Sequence, residues 1–204
     1  MEAAGRAGVP FREVDRSELD ELAEDHQGVV AAVRVPRSLT EHDLATWPFA
    51  DDAIVVVLDG VTDPQNLGAA ARSAEAAGVA MLVGRVHRAA PVTQAAIRAS
   101  AGALLHLPHA QVPNIARALD RLKDAGFFVA GLDDSAPVAV FDEPCPPGRV
   151  ALVVGSEDRG VSRLARESCD VLVSLPMRGQ VSSLNASASL AAALYAWVLP
   201  TRAS

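Results

Sequence analysis

The chain has 204 residues, half of them hydrophobic and 21% charged, a composition that suits a folded domain of ordinary size and excludes wholesale disorder. No apolar run reaches the ~18 residues of a membrane span, the first residues lack an apolar signal core, and two cysteines are too few for a disulfide framework or a four-cysteine zinc site, so a cytoplasmic protein with no membrane partner is expected. The net charge of −7 resides wholly in residues 1–52, while residues 53–204 are neutral; this leaves no basic stripe for non-specific phosphate binding, without excluding nucleic acid.

Residues 13–25 are polar and charged, residues 28–35 form an apolar run, and residues 36–52 carry proline and tryptophan. The pattern predicts a short helix, a strand and a linker that cannot build a core alone. From Ala53 onward the punctuation becomes regular. Ile54-Val-Val-Val-Leu58 predicts a strand buried on both faces. Asn66 predicts the cap of a helix that reaches about Ala77 and ends at Gly78. Next come a strand over 81–83, a helix over 91–101, a short strand at Leu104 and Leu105, and a helix over 112–125 closed by Gly126. A strand over 127–130, a strand over 150–154, a helix over 162–168, a strand over 171–175 and a long helix over 183–199 complete the order. Strands alternating with helices predict an α/β fold: a mostly parallel sheet with helices on both faces.

Ligands of such sheets sit beyond the C-terminal strand ends. Three segments there carry unusual residues: 59–72, 155–160 and 175–187. The first leaves its strand through a polar turn into a helix of small residues, Gly68 to Ala71, which permits close approach of a backbone or ligand. Asn66 and Arg72 lie on it, and an arginine beside a strand-end loop is a good anion position. Gly155-Ser-Glu-Asp-Arg-Gly160 has the outer glycines of a phosphate loop, but Val161-Ser162 replaces the required Lys-Ser/Thr, and Glu157 and Asp158 suit an anion cradle poorly. Its glycines fit close backbone approach instead. The third segment places Ser182, Ser183, Asn185 and Ser187 at a helix start, more small polar groups than one cap uses.

Other chemistries find little support. No Gly-x-Gly-x-x-Gly follows a strand, and no Gly-x-Ser-x-Gly elbow is present. His106 and His109 read as a surface pair at a turn in preference to a metal site. Cys169 reads as packing.

In order along the chain, Asp59 to Arg72 with Asn66, then Gly155 to Gly160, then Leu175-Pro-Met177 with Ser183-Leu-Asn-Ala-Ser187 resemble the three motifs of the SpoU/TrmH family of RNA ribose 2′-O-methyltransferases, within the SPOUT superfamily. The resemblance covers residues 53–198. It is closest to the bacterial 23S rRNA guanosine-2′-O-methyltransferase branch, whose His-Gln-Gly-Val-Val-Ala linker stands here at residues 26–31.

The resemblance implies a C-terminal deep trefoil knot from about Gly155, a feature too rare to be expected on other grounds. It implies S-adenosylmethionine as cofactor, held at Gly155, Leu175 and Leu184, with no metal. Arg72 corresponds to the family's catalytic arginine, Asn66 and Glu157 would orient it, and Ser183 and Asn185 would line the acceptor or cofactor side. A homodimer is implied, and the apolar last helix with Tyr195 and Trp197 offers a face for it. The RNA would be ribosomal in preference to transfer RNA. The alternatives are a tRNA 2′-O-methyltransferase, a non-catalytic dimer that binds RNA or cofactor, and a transferase with a nucleotide or acyl donor. Relatives in the ribosomal branch carry an RNA-binding domain before the linker. Residues 1–52 read as the remnant of that domain with its linker, and residues 53–204 as the catalytic domain; poor selection of ribosomal RNA by this chain alone is expected.

Overall fold

The computed structural model describes residues 2–24, 26–87 and 89–202. They fall into two compact units, residues 1–34 and 35–204. The first holds helices α1 (Glu2–Arg6) and α2 (Arg16–Leu22), and α2 buries no side chain, as its polar sequence predicts. His26 closes a small local turn: its Nε2 lies 2.9 Å from Asp20, and its Nδ1 accepts from the Gly28 amide at 2.8 Å.

In the second unit, α3 (Glu41–Thr46) precedes β1 (Ile54–Asp59), α4 (Pro64–Ala76), β2 (Met81–Arg85), α5 (Gln94–Ala99) and β3 (His109–Val112). Then follow α6 (Ile115–Asp124), β4 (Phe128–Leu132), β5 (Val138–Ala139), β6 (Val150–Gly155), α7 (Arg163–Glu167), β7 (Val171–Ser174) and α8 (Ala186–Ala193). The seven strands form one sheet in the order β3-β2-β1-β6-β4-β7-β5, and every pairing is parallel.

The continuous apolar runs of β1 and β6 sit at the centre because both faces of the sheet are covered. Side chains alternate between faces along a strand, so Ile54, Val56 and Leu58 pack with α4 and α8, while Val55 and Val57 pack with α3, α6 and α7. Residues 35–52 belong to this body. Leu44 and Phe49 are buried in it, the Phe49 ring meets Phe127 edge-on at 4.9 Å, and Arg149 donates to the carbonyls of Phe49, Ala50 and Ala125 at 2.7–2.9 Å.

Several elements differ from the sequence expectation. Residues 28–35 form no strand; Val29 is 74% exposed, and it is Leu39 that takes the free edge of β3, through bonds of 2.7 and 2.8 Å to His109 and Gln111. A strand needs an edge to pair with, and an apolar run alone does not supply one. Leu104 and Leu105 lie in a 3₁₀ turn, and the third strand is His109–Val112, so Val112 ends a strand where a helix start was expected. The strand β5 was not foreseen. The last helix begins at Ala186, passes into a π-helical stretch, Leu194–Val198, and ends in a 3₁₀ turn, Leu199–Arg202. Its apolar stripe serves the core: Leu190, Leu194, Trp197 and Val198 are buried, the Trp197 Nε1 donates to the Glu143 carbonyl at 2.9 Å, and Tyr195 is left exposed. Among the described residues no helix is long and apolar enough to cross a membrane.

His109 carries a pH dependence. Its Nδ1 is buried without a hydrogen-bond partner among the described residues, and burial pushes its pKa down to about 4. The unfolded chain, with an ordinary imidazole near pH 6.5, binds the proton first as pH falls. Stability is therefore full above pH 6.5 and declines toward pH 4, by up to about 3 kcal/mol. Urea unfolding of the wild type should show this decline between pH 6.5 and 4, and His109→Leu should flatten it; equal slopes for the two proteins would contradict the assignment.

Candidate active site

β1 and β6 are neighbours in the centre of the sheet, with Asp59 in register with Gly155. From β1 the chain builds outward to β2 and β3, whereas β6 leads the other way to β7. The crevice at their C-terminal ends is thus a topological switch point, where ligands of open parallel sheets bind. The segments singled out in the sequence at 59–72 and 155–160 leave from this point.

The second of them is a closed loop. The Gly160 amide donates to the Ser156 carbonyl at 2.8 Å, Gly160 has φ +60°, and a Cβ on Gly155 would fall 1.9 Å from the Gly160 carbonyl carbon. Gly155 lets backbone lie on backbone, and Gly160 supplies the left-handed turn that closes the loop. Gly68 repeats the first role: its Cβ would stand 2.5 Å from the Ala96 carbonyl oxygen, so the small residues of α4 admit α5 and not a ligand.

Asp59 staples this region together. It is 3% exposed; Oδ1 accepts from Arg85 at 2.9 and 3.1 Å, and Oδ2 accepts from the Ser162 amide at 2.9 Å. The ends of β1 and β2 are thereby tied to the exit of the closed loop. A carboxylate terminating an apolar strand was the available signal for it.

The three segments meet at one polar cluster. Asn66 Nδ2 donates to Glu157 Oε1 at 2.6 Å, Asn185 Nδ2 donates to the same oxygen at 2.6 Å, and Asn185 Nδ2 also lies 2.9 Å from Asn66 Oδ1. Asn185 is oriented from behind, because its Oδ1 accepts from the Ser187 amide at 2.9 Å and caps α8. Asn66, in contrast, is not the cap of α4. Asp63 is, accepting from the Gln65 amide at 3.1 Å with Pro64 opening the helix. The Asn66 side chain is thereby free for Glu157.

Arg72 lies six residues further along α4, less than two turns on. It is exposed, and among the described residues no hydrogen bond or ion pair joins it to Asn66 or Glu157. The direct orientation of Arg72 by these two residues, expected from the sequence, is not made within one chain.

Beside the cluster opens a cavity of about 390 Å³, within the range of small-molecule sites. Gly155, Glu157, Ser183 and Leu184 line it. Leu175 is not in its wall; it packs against the core below. Sequence reasoning missed the contribution of β4, whose end supplies Leu132, Asp133, Asp134 and Ser135. Asp133 is buried, accepts from the Ser135 amide at 2.9 Å and pairs with Arg166. Two aspartates directly after an apolar strand were the signal, by the same strand-end rule that found the other loops. With Asp133 paired, Asp134, Glu157 and Asp158 against Arg159 leave this wall net negative, a setting for a ligand with a cationic centre.

Cys169 is packing: its Sγ lies 3.2 Å from the Ala165 carbonyl, and burial pushes the thiol up to about 11, so it is not a nucleophile at neutral pH. Among the described residues no three His, Cys, Asp or Glu side chains converge as metal ligands would.

Comparison with known proteins adds the following. The model of the SpoU rRNA Methylase family matches residues 53–195. The 23S rRNA (guanosine-2′-O-)-methyltransferase RlmB of Vibrio cholerae is 39% identical over 193 residues, covering 93% of this chain and 78% of that one. The protein of the same name from Escherichia coli is 38% identical over 191 residues, covering 92% and 78%. Among solved structures, the SpoU methyltransferase AviRb from Streptomyces viridochromogenes, in complex with the cofactor AdoMet, superposes with a TM-score of 0.70 at 32% identity, covering 77% of this chain and 64% of that one. A family model spanning the whole sheet, and relatives at this identity over most of both chains, place the chain in the SpoU rRNA methylase family.

Proposed function

We propose that this protein transfers a methyl group from S-adenosylmethionine to a ribose 2′-hydroxyl of RNA, with a guanosine of 23S rRNA as the target, acting in the cytoplasm as a homodimer. The observation that carries the reading is the convergence of Asn66 and Asn185 on one carboxylate oxygen of Glu157, three residues from three motifs, beside a cavity of cofactor size. The similarity to 23S rRNA methyltransferases supports the choice of RNA.

The cavity suits the cofactor. Its volume is adequate, its carboxylates complement a sulfonium and an ammonium group, and backbone and hydroxyl groups beyond the ends of β4, β6 and β7 can address an adenosine. Gly155 and Leu184 would hold the cofactor, with Leu175 at the end of the strand that leads into the site and Asp134 facing its cationic part. In the same reading the stretch from Gly155 onward threads a deep trefoil knot, and residues 53–204 form the catalytic domain, against which residues 35–52 pack.

S-adenosylmethionine supplies a methyl group already activated by a positive sulfur, so no metal is invoked. The O–CH3 bond forms as the S–CH3 bond breaks and S-adenosylhomocysteine leaves, so the protein must align the 2′-hydroxyl, let its proton pass to solvent and stabilise the developing oxyanion. Free arginine, with a pKa above about 12, is a poor base at neutral pH. Arg72 instead binds the phosphate next to the target ribose and stabilises the developing alkoxide; its exposure and lack of a bond to Asn66 or Glu157 leave the guanidinium available for that phosphate. Asn66, Glu157, Ser183 and Asn185 position the ribose.

Titration calorimetry tests the cofactor half of the proposal. S-adenosylmethionine and S-adenosylhomocysteine should bind one site per subunit with EDTA present, and ATP should not. Failure of both ligands to bind the folded protein at millimolar concentration would overturn it.

A further inference from the structure

Among the described residues, three cavities follow one another around the closed loop. The cavity of about 390 Å³ shares Ser156, Glu157, Asp158 and Ala186 with a small one of about 50 Å³ at Asn66. That one in turn shares Gly60, Thr62, Ser156 and Asp158 with a third of about 600 Å³, which lies on the β1–β2 side and is bounded by Arg85, Arg159 and Arg163. The two larger spaces also share Ser156, Asp158, Arg159 and Gly160, so they adjoin across the closed loop with the polar cluster beside both.

Their charges are opposite. In the third cavity Asp59 is buried and both its oxygens are taken, by Arg85 and by the Ser162 amide. Arg159 and Arg163 then face one free carboxylate, Asp158. The only ion pair of Arg163 among the described residues is with Glu167, at 2.6 Å, and both partners are largely exposed; such a pair is weak and readily exchanged. Among the described residues no aromatic side chain lines this cavity. Forked arginines over an open cleft match the phosphates of a strand.

We infer that this third cavity binds the RNA backbone beside the target nucleotide, with Arg159 and Arg163 as phosphate ligands. The inference rests on the methyltransferase reading and extends it. RNA approaches from the β1–β2 side, the target ribose sits at Asn66 and Glu157, and the cofactor lies beyond. It also gives a catalytic unit without net positive charge a local site for a polyanion, because Arg159 and Arg163 outnumber the one free carboxylate of this cavity.

The test is the salt dependence of binding to a full-length 23S rRNA transcript, with S-adenosylhomocysteine present. Each phosphate contact contributes about 0.7–0.9 to the slope of log K against log salt. Arg163→Ala should reduce the slope by about that amount, and Arg159→Ala/Arg163→Ala by about twice as much. Arg163 is absent from the wall of the first cavity, so Arg163→Ala should leave S-adenosylhomocysteine affinity within twofold, which also verifies the fold. An unchanged slope in the double variant, with S-adenosylhomocysteine still bound, would overturn this inference alone. Competition by GMP at low millimolar concentration would overturn it in favour of a mononucleotide pocket. If the unaltered protein bound no S-adenosylhomocysteine, the methyltransferase reading would fall, and this inference with it.

Discussion

Arg72→Ala is expected to lower kcat for ribose methylation by about 10²–10³-fold, the usual cost of removing one oxyanion-stabilising group. Affinity for S-adenosylmethionine should hardly change, because Arg72 is absent from the wall of the cavity assigned to the cofactor. Stability should stay within about 0.5 kcal/mol, since the side chain is exposed. Arg72→Lys should be nearly as inactive, because a point charge does not reproduce the planar fork that holds a phosphate and an alkoxide together. Single-turnover kinetics with saturating cofactor separates these effects. Near-wild-type turnover of Arg72→Ala would show that the guanidinium does not serve the acceptor.

Gly155→Ala should be the most damaging single methyl group in the site. The added carbon would lie 1.9–2.1 Å from three backbone atoms of Gly160 and Val161, and backbone cannot yield as a flexible side chain can. Overpacking of this kind costs about 1–3 kcal/mol even where side chains can shift, so the upper end or beyond is expected. The displaced loop carries Glu157, so cofactor affinity should fall by at least tenfold, about 1.4 kcal/mol. Gly179, with nothing within 4 Å of its Cβ position, is the control: Gly179→Ala should leave stability within about 0.5 kcal/mol. Thermal unfolding and calorimetry on the two variants check both statements. Equal behaviour would mean that the Gly155–Gly160 contact does not hold the loop.

The central strands were legible because five or six consecutive apolar residues between turn signals have few other uses; β1 and β6 match their expected bounds within one residue. At the sheet margin the same reasoning weakens. β3 has only four residues with alternating burial, and β5 has two, so neither offers enough sequence to establish a period. The apolar pair Leu104 and Leu105 drew the strand assignment toward itself, although it packs from a 3₁₀ turn.

At the site, the strand-end rule found the three motif segments. The expected strand over 127–130 stopped two residues short of the observed end of β4, which hid Asp133 and Asp134. Asn66 was given the wrong local role for a local reason: Asp63 also precedes the helix, and Pro64 at its first position decides between them. Its true partners, Glu157 and Asn185, are 91 and 119 residues away. No local pattern reports a bond of that span, and only the family motifs placed the three in one site.

The most direct test of the methyltransferase assignment is transfer of a tritiated methyl group from S-adenosylmethionine to unmodified 23S rRNA and to bulk tRNA, followed by mapping of the product. Label in 23S rRNA at a single guanosine, slow to accumulate, and resistant to alkaline cleavage on its 3′ side because the 2′-hydroxyl is blocked, is the predicted result. Label confined to tRNA would move the protein to the transfer-RNA branch of the family. Label on a base, or S-adenosylmethionine bound without transfer to either RNA, would contradict the account.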